Sequence, residues 1–323
     1  HCRPPKDLGR VWKAPKRWTD EARPRSRQSR AILAEQLSRL GSLNNYTTNG
    51  DLGFVGIMIF DMHHFPAHWI QPDWPAPTHV KAVMTSRQAG VSAGPWASMN
   101  LGTHVGDVPT HVQTNRDHLA RLLGRRPVFL QQVHGVTSVK LSPSIPDGWE
   151  ADACWTREAG VACAIMVADC LPVLLCAASG QWVAAAHAGW RGLAGQQGRG
   201  VLETLMSDLT QAGCDVSNVL AWLGPCIGPD AFEVGAEVLS AFDDGSDAVK
   251  GMFQAQADGK FKADLAGLAR LRLQSMGLTR IHGNDSTSAW CTVSQPQIFF
   301  SHRRDSRLLG SSGRMAACIW LGA

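Results

Sequence analysis

The chain has 323 residues, of which 44% are hydrophobic and 18% are charged, enough to build a sizeable core as one large domain or two small ones. No apolar run approaches the roughly 20 residues needed to cross a bilayer, and no secretory leader pattern is present, so we expect a cytoplasmic protein with no membrane role. The nine cysteines include no C-x-x-C pair, which indicates reduced thiols and argues against a disulfide framework.

The net charge of +4 is unevenly distributed along the chain. Residues 1–30 contain ten lysines or arginines against three acidic residues, which leaves the rest of the chain near −3. We interpret 1–67 as an N-terminal extension, either disordered or upstream of the natural start at Met58 or Met62, and 68–323 as a single folded domain. A nucleic-acid-binding arm and an organelle transit peptide are alternatives, but acidic residues weaken the second. Because the folded part is not basic, nucleic acid is not the favoured partner.

Strand patterns, glycine breaks and helical patterns alternate through the folded part, which predicts one α/β domain. We predict helices at 110–123, 200–212, 231–243 and 262–276. We predict strands at 79–85, 128–133, 219–223, 279–282, 297–301 and 314–321, with three more inside 161–192. The segment 86–107 is rich in Gly, Pro, Ser and Asn, which is typical of an ordered functional loop.

The central segment 161–192 organises the rest of the chain. Its runs at 172–176 and 183–186 carry almost no polar side chain, which favours strands buried on both faces. Asp169 and Cys170 lie at the first break between strands, and His187 lies where the last strand ends. Polar groups at strand ends usually face a cleft, so these three are candidate functional residues.

His134, Cys170 and His187 are candidate metal ligands, 36 and 17 residues apart along the chain. Zinc binds imidazole and thiolate readily, and three protein ligands with a fourth open position are typical of a catalytic site. Two alternatives stay open: Cys170 could be a nucleophile with one of the histidines as its base, or all three could be core residues.

Other polar residues could complete such a site. Asp152 and Asp169 could orient a ligand histidine or act as general acid and base. Phosphate or substrate contacts could come from arginines in loops or at a strand end, which are Arg87, Arg191, Arg303 and Arg304. Asn100 and Asn115 could bind substrate or could close Asx turns. We interpret His104, His111 and His302 as structural or peripheral.

Several ordered blocks resemble the YfiH/DUF152 family, also described as polyphenol oxidase-like laccases, purine nucleoside phosphorylases or peptidoglycan editing factors. The blocks are SMNLGTHVGD (98–107), LQQVHG (130–135), EADA (150–153), ADCLPVLLC (168–176), VAAAHAGWRGL (183–193), AWLGPCIGP (221–229), AFEV (231–234), FFSHRRD (299–305) and GRMAACIWL (313–321). The resemblance implies a layered α/β sandwich with a large mixed sheet. It also implies a zinc ion held by His134, Cys170 and His187.

The resemblance further implies a zinc-dependent purine nucleoside phosphorylase acting on adenosine, inosine, guanosine and methylthioadenosine, with adenosine deamination as a second reaction. Its partners would be purine nucleosides and phosphate, with Arg87 and Arg304 as candidate phosphate ligands. A hydrolase that edits peptidoglycan precursors through Cys170 or the metal is the alternative. Copper-dependent phenol oxidation ranks lower, because the expected H-x-H pairs are missing. The sequence does not show the oligomeric state, and residue 89 is alanine where the family motif has glycine.

Overall fold

The computed structural model describes residues 65–322, which belong to one compact unit. The extension predicted over 1–67 lies outside the described residues except for its last three. The described part contains seven α-helices: α1 (Pro109–Leu123), α2 (Trp190–Ala194), α3 (Val201–Gln211), α4 (Ala236–Phe242), α5 (Asp247–Lys250), α6 (Leu265–Ser275) and α7 (His302–Leu309).

Thirteen strands lie within the same described residues. They are β1 (Val80–Met84), β2 (Arg126–Phe129), β3 (Ser138–Lys140), β4 (Ala153–Thr156), β5 (Val161–Val167), β6 (Leu171–Ala177), β7 (Val183–Ala188), β8 (Val219–Leu223), β9 (Glu233–Val234), β10 (Phe253–Ala255), β11 (Phe261–Ala263), β12 (Arg280–Gly283) and β13 (Met315–Leu321). Short 3₁₀ turns at Gly94–Trp96, Ala257–Gly259 and Ser288–Trp290 join some of them.

Two mixed sheets form the centre of the domain. A six-stranded sheet has the order β12-β8-β6-β7-β4-β3, and a four-stranded sheet has the order β1-β13-β5-β2. Most neighbours are antiparallel, but β2 with β5, β3 with β4 and β8 with β12 are parallel. The predicted α/β fold with a large mixed sheet is confirmed.

The two sheets pack face to face, and strand alternation explains why both faces of the central strands are apolar. In β5, Val161, Cys163 and Ile165 enter the core between the sheets, while the intervening Ala162 and Ala164 enter the core beneath α1. A strand with period two and two buried faces needs small or branched apolar residues throughout. This is why the segment 161–188 reads as almost unbroken apolar runs.

Helices cover the outer faces of both sheets, giving four layers. Leu119 and Leu123 of α1 pack on the four-stranded sheet. Residues of α3 and α6, such as Leu205 and Leu268, pack on the outer face of the six-stranded sheet. Polar ends of strands in the two sheets are therefore the positions from which side chains can reach a cleft.

Some sequence predictions were wrong in detail. Residues 297–301 form a turn followed by irregular backbone instead of a strand, because the amides of Ile298 and Phe299 bond to the carbonyl of Gln295 within a turn. Phe299 and Phe300 are buried in the core between the sheets. The helix predicted at 231–243 begins only at Ala236, since 233–234 pair with β11 in a small three-stranded sheet. Among the described residues, no helix is both long and apolar enough to cross a membrane.

Candidate metal centre

Three chain breaks at one edge of the sheets bring His134, Cys170 and His187 together. His134 lies in the loop that follows β2, Cys170 lies in the turn between β5 and β6, and His187 is the penultimate residue of β7. Within β7, His187 shares a face with Val183 and Ala185, which line the core between the sheets. The strand therefore directs this imidazole into the layer between the two sheets, where it is 4% exposed.

The geometry of the three side chains suits one metal ion. Each offers one ligand atom, and these atoms lie within 4.8 Å of one another. Sγ of Cys170 is 3.6 Å from Nε2 of His134, and the two imidazole centroids are 4.8 Å apart. Tetrahedral zinc with its usual bond lengths separates such ligand atoms by about 3.3 to 3.6 Å. Among residues 65–322 this is the one group of this kind.

Asp152 holds two of the three ligands in place. Its fully buried carboxylate accepts hydrogen bonds from the amides of Val133 (3.2 Å), His134 (3.0 Å) and Gly135 (2.7 Å). It also accepts one from Nδ1 of His187 at 2.7 Å. A carboxylate that orients a ligand histidine in this way fixes which ring nitrogen faces the metal. Asp152 thus couples the loop of His134 to the end of β7.

Two glycines make the close approach possible. A Cβ at Gly189 would lie 2.7 Å from Cδ2 of His134 and 3.1 Å from Sγ of Cys170. A Cβ at Gly192 would lie 2.7 Å from the carbonyl oxygen of Gly135. The distance from a Cβ at Gly189 to His134 and the distance from a Cβ at Gly192 to Gly135 are both shorter than real Cβ contacts. The HAGWRG motif therefore carries glycine where the chain passes directly against the ligands.

Charge in the centre is distributed between the thiol and the buried imidazole. Burial raises the pKa of Cys170, but the charge of His187 and the hydrogen bonds of both histidines outweigh it and lower the pKa to about 6. Burial lowers the pKa of His187, but the charge of Cys170 and the hydrogen bond to Asp152 raise it to about 9. The lowered pKa of Cys170 favours its thiolate, and the thiolate is the form of cysteine that binds a metal.

Asp169 has a different position from Asp152. Its carboxylate accepts hydrogen bonds from Oγ1 of Thr292 (2.5 Å) and from the amide of Arg303 (2.6 Å). Its backbone has a left-handed φ of 87°, and its carbonyl accepts from the amide of Ile227 at 2.9 Å. Asp169 therefore turns the chain into Cys170 and ties three loops together.

The metal centre opens into a cleft of about 330 Å³. Its lining combines apolar side chains with histidine and arginine side chains. The lining residues beyond the three ligands include Gln132, Met166, Trp190, Ile227, Phe232 and Leu265, together with His104, His302, Arg303 and Arg314. A cleft of this size, largely apolar with a few polar groups, is typical of a small-molecule site.

The four predicted substrate residues do not line this cleft, and their polar groups are bonded to the protein. Arg304 donates to the carbonyls of Thr292, Val293 and Phe299 and to the carboxylate of Asp305.

Arg87 donates to the carbonyls of Ala97 and Pro296. In the same loop, Ala89 has a φ of 72°, so the left-handed conformation that favours glycine is present here with alanine.

The two asparagines are buried clamps between loops. Asn115 bonds the amide of Val91, the hydroxyl of Ser92 and the carbonyls of Ser98 and Asn100. Asn100 bonds both backbone groups of Gly102 and the carboxylate of Asp107. These contacts hold the loop 86–107, which was predicted to be ordered, in a fixed conformation. They leave both amides engaged with the protein.

Sequence reasoning missed several residues of the cleft. His104 and His302 were interpreted as structural or peripheral, yet both line it. Arg314 was not singled out at all. The available signal was their position inside three of the quoted blocks, SMNLGTHVGD, FFSHRRD and GRMAACIWL, but nothing local shows that these blocks meet.

Residues 81–322 match the family model described as Multi-copper polyphenol oxidoreductase laccase. A match of this extent decides the family. The chain belongs to the YfiH/DUF152 laccase-like family. A relative from Pseudomonas aeruginosa, named a purine nucleoside phosphorylase, is 48% identical over 78% of this chain and 98% of its own length. The Escherichia coli relative, named purine nucleoside phosphorylase YfiH, is 46% identical over the same shares.

Solved structures of YfiH/DUF152 relatives share the fold. A DUF152 protein of Neisseria meningitidis is 43% identical with a TM-score of 0.70, covering 79% of this chain and all of that one. YlmD of Geobacillus stearothermophilus is 32% identical with a TM-score of 0.68, covering 76% and 93%. The described residues therefore have the architecture of this family, and the names of its relatives support an enzyme.

Proposed function

We propose that this chain is a zinc-dependent purine nucleoside phosphorylase that acts on adenosine, inosine, guanosine and methylthioadenosine, and that also deaminates adenosine. The observation that carries the proposal is the convergence of His134, Cys170 and His187 at the floor of a small cleft. The names of the Pseudomonas and Escherichia relatives support the substrate class.

The donor set fits zinc better than other common ions. One thiolate and two imidazoles are ligands that zinc prefers, and a hydrogen-bonded carboxylate behind one imidazole is a frequent companion of zinc sites. When bound, zinc supplies Lewis-acid chemistry and lowers the pKa of water. Copper accepts the same ligands, but a multicopper centre needs more of them than the single cluster that residues 65–322 provide.

The residues of the chain have separate tasks in this proposal. Asp152 keeps the Nδ1 proton of His187 in place, so the other ring nitrogen faces the centre. Trp190, Ile227 and Phe232 offer apolar surface on which a purine base can pack while water is excluded. In phosphorolysis an oxygen of hydrogen phosphate forms a bond to C1′ of the ribose and the bond from C1′ to the base breaks. The departing base takes the electron pair of that bond and the proton that the phosphate gives up, so the products are ribose 1-phosphate and the neutral base.

A second candidate function has its own supporting observation. Cys170, His187 and Asp152 form a thiol, imidazole and carboxylate series in which the pKa of the thiol is lowered to about 6. Such a series is the arrangement of cysteine hydrolases. A metal-independent hydrolase that edits peptidoglycan precursors is therefore the alternative.

One experiment separates the two functions. Purified protein with adenosine and inorganic phosphate is expected to release adenine and ribose 1-phosphate, and without phosphate to release inosine and ammonia. His134→Ala is expected to abolish both reactions, whereas His68→Ala, at an exposed position outside the cleft, is expected to leave them unchanged. Unchanged turnover in His134→Ala would refute the zinc mechanism. Activity on a muropeptide that survives chelation and is lost on alkylation of Cys170 would favour the alternative.

A further inference from the structure

Arg314 has a guanidinium group that the protein leaves only partly bonded. It precedes β13 and its side chain lines the cleft of the metal centre. Its Nη1 donates to the carbonyls of Ser312 (2.9 Å) and Gly313 (3.1 Å). Within residues 65–322 its Nε and Nη2 make no hydrogen bond, and no carboxylate forms an ion pair with it. A half-buried cation with two free donors on one edge is suited to an anion.

Buried polar contacts fix where this side chain begins. Oδ1 of Asn100 accepts from the amides of Arg314 and Gly102, both at 2.9 Å. Gly102 packs against the arginine stem, since a Cβ there would lie 2.8 Å from Cγ of Arg314. Asn115 in turn donates to the carbonyl of Asn100. The two asparagines predicted to bind substrate therefore lie in the framework that positions Arg314.

Two histidines share the wall of the cleft with Arg314. Nδ1 of His302 is bonded to the hydroxyl of Ser306 at 2.7 Å, which leaves its Nε2 available. The ring of His104 makes no hydrogen bond with any described residue, although it lines the same cleft. Burial lowers the pKa of both histidines, and the positive charge of Arg314 lowers each further. Arg314 and both imidazoles therefore line one cleft.

Among the described residues, two arginines line the cleft, and Arg314 is the one with an unbonded edge of its guanidinium group. Arg303 also lines the cleft, but both of its Nη atoms donate to the carbonyl of Glu233, and one also to that of Ala231. Burial lowers the pKa of Arg314, whereas the charges of Cys170 and Asp169 raise it. Those two groups are committed elsewhere, Cys170 in the metal cluster and Asp169 to Thr292 and Arg303.

We propose that Arg314, His104 and His302 form a binding subsite for a phosphate group in the cleft that they share with His134, Cys170 and His187. The free edge of the guanidinium donates two parallel hydrogen bonds to phosphate oxygens, and the imidazoles add one each. The ligand is inorganic phosphate, so the assignment of this ligand as co-substrate rests on the proposed phosphorolysis. The subsite replaces Arg87 and Arg304, whose donors are engaged by carbonyl groups.

Calorimetric titration of the intact protein with inorganic phosphate tests the subsite directly. Arg314→Met keeps the length of the side chain and removes its charge, and we expect it to raise the phosphate Kd at least about tenfold, the effect of losing a charge-assisted bidentate contact. Arg307→Met is the matched control, because Arg307 is exposed in the last turn of α7 and does not line the cleft. An unchanged Kd in Arg314→Met would refute the subsite.

A second variant keeps the test decisive if Arg314→Met does not fold. Arg314→Lys retains the charge and loses the planar fork, and we expect a smaller but measurable rise in Kd, with circular dichroism equal to that of the wild type. A Kd equal to that of the wild type in this folded variant would also refute the subsite.

Kinetics separates this inference from the proposed function. In Arg314→Met we expect the KM for phosphate to rise about tenfold or more, whereas in Arg307→Met, which lies outside the cleft, we expect it to stay within twofold of the wild type. Phosphorolysis with an unchanged phosphate KM would overturn the subsite and leave the proposed function intact. The wild type could bind phosphate, with Arg314→Met weakening that binding, and yet show no phosphorolysis. This result would support the subsite and refute the proposed function. If Arg314→Met loses binding of adenosine 5′-phosphate but still binds inorganic phosphate, the assignment of inorganic phosphate as the ligand would be overturned.

Discussion

Replacing Asp152 by asparagine removes one charge and one acceptor from the group that organises the metal centre. Oδ1 accepts from the amide of His134 and from Nδ1 of His187, and Oδ2 accepts from the amides of Val133 and Gly135. An asparagine supplies one oxygen and one NH₂ group, so whichever way it is oriented, two of the four donors lose their acceptor.

The size of the effect follows from those two donors. A donor without a partner costs about 1 to 3 kcal/mol when it is buried. Because the backbone donors here are part-buried, Asp152→Asn is expected to lower the free energy of unfolding by about 1 to 3 kcal/mol in total. Loss of the carboxylate behind a ligand histidine weakens metal binding by about 10-fold to 100-fold. Both effects are expected because Asp152 supports the fold of the loop and the orientation of His187.

Zinc affinity measured by competition with a chromophoric chelator, together with urea unfolding of the metal-free protein, checks both numbers. Asp117→Asn, at an exposed position on α1, is the matched control and is expected to change neither. Zinc affinity within twofold of the wild type and a stability change below about 0.5 kcal/mol would refute the role assigned to Asp152.

Three further predictions concern the same site. Iodoacetamide is expected to modify Cys170 in chelated protein and to be blocked by added zinc, as peptide mass spectrometry will show; equal labelling with and without zinc would contradict ligation by this thiol. Gly189→Ala is expected to displace His134 and weaken zinc binding at least about tenfold, while Gly251→Ala, at an ordinary φ of −62°, leaves the affinity unchanged; equal affinities would contradict the close approach. Asn115→Ala is expected to lower stability by about 2 to 4 kcal/mol in denaturant unfolding, and a change in nucleoside KM without loss of stability would instead favour substrate binding.

The ends of the central strands were predictable from the sequence because strand burial leaves a clear pattern. Polar residues interrupt apolar runs at Cys170 and His187, and β5, β6 and β7 are present there. His134 was a candidate because it follows a predicted strand, but choosing a shared metal site over the alternatives depended on the family resemblance, because the loop of His134 follows a strand of the other sheet. Alternation along β7 then explains which way His187 points.

The phosphate-binding residues were not predictable in this way. Arg87 and Arg304 were expected in loops, which made them reasonable candidates, but Arg304 lies in the first turn of α7. How many carbonyl groups a guanidinium meets depends on segments far along the chain. Arg304 finds three carbonyls from 292–299. Arg314 keeps two free donors because Asn100 and Gly102, over 200 residues earlier, hold its backbone and stem.

The two-sheet architecture was equally hidden from local patterns. A strand buried on both faces reads the same whether helices or a second sheet cover it, so the alternation in β5 could not distinguish one large sheet from two. The pairing of β5 with both β2 and β13 is a long-range choice. It separates the loop of His134 from the turn of Cys170 by one strand spacing.

The metal content of the purified protein tests the central claim most directly. Elemental analysis of wild type and of His134→Ala, both purified without added metal, is expected to find one zinc per chain in the wild type and none above background in the variant. A full equivalent of metal in His134→Ala, or a wild type that is active on adenosine while free of metal, would contradict a shared ion held by His134, Cys170 and His187.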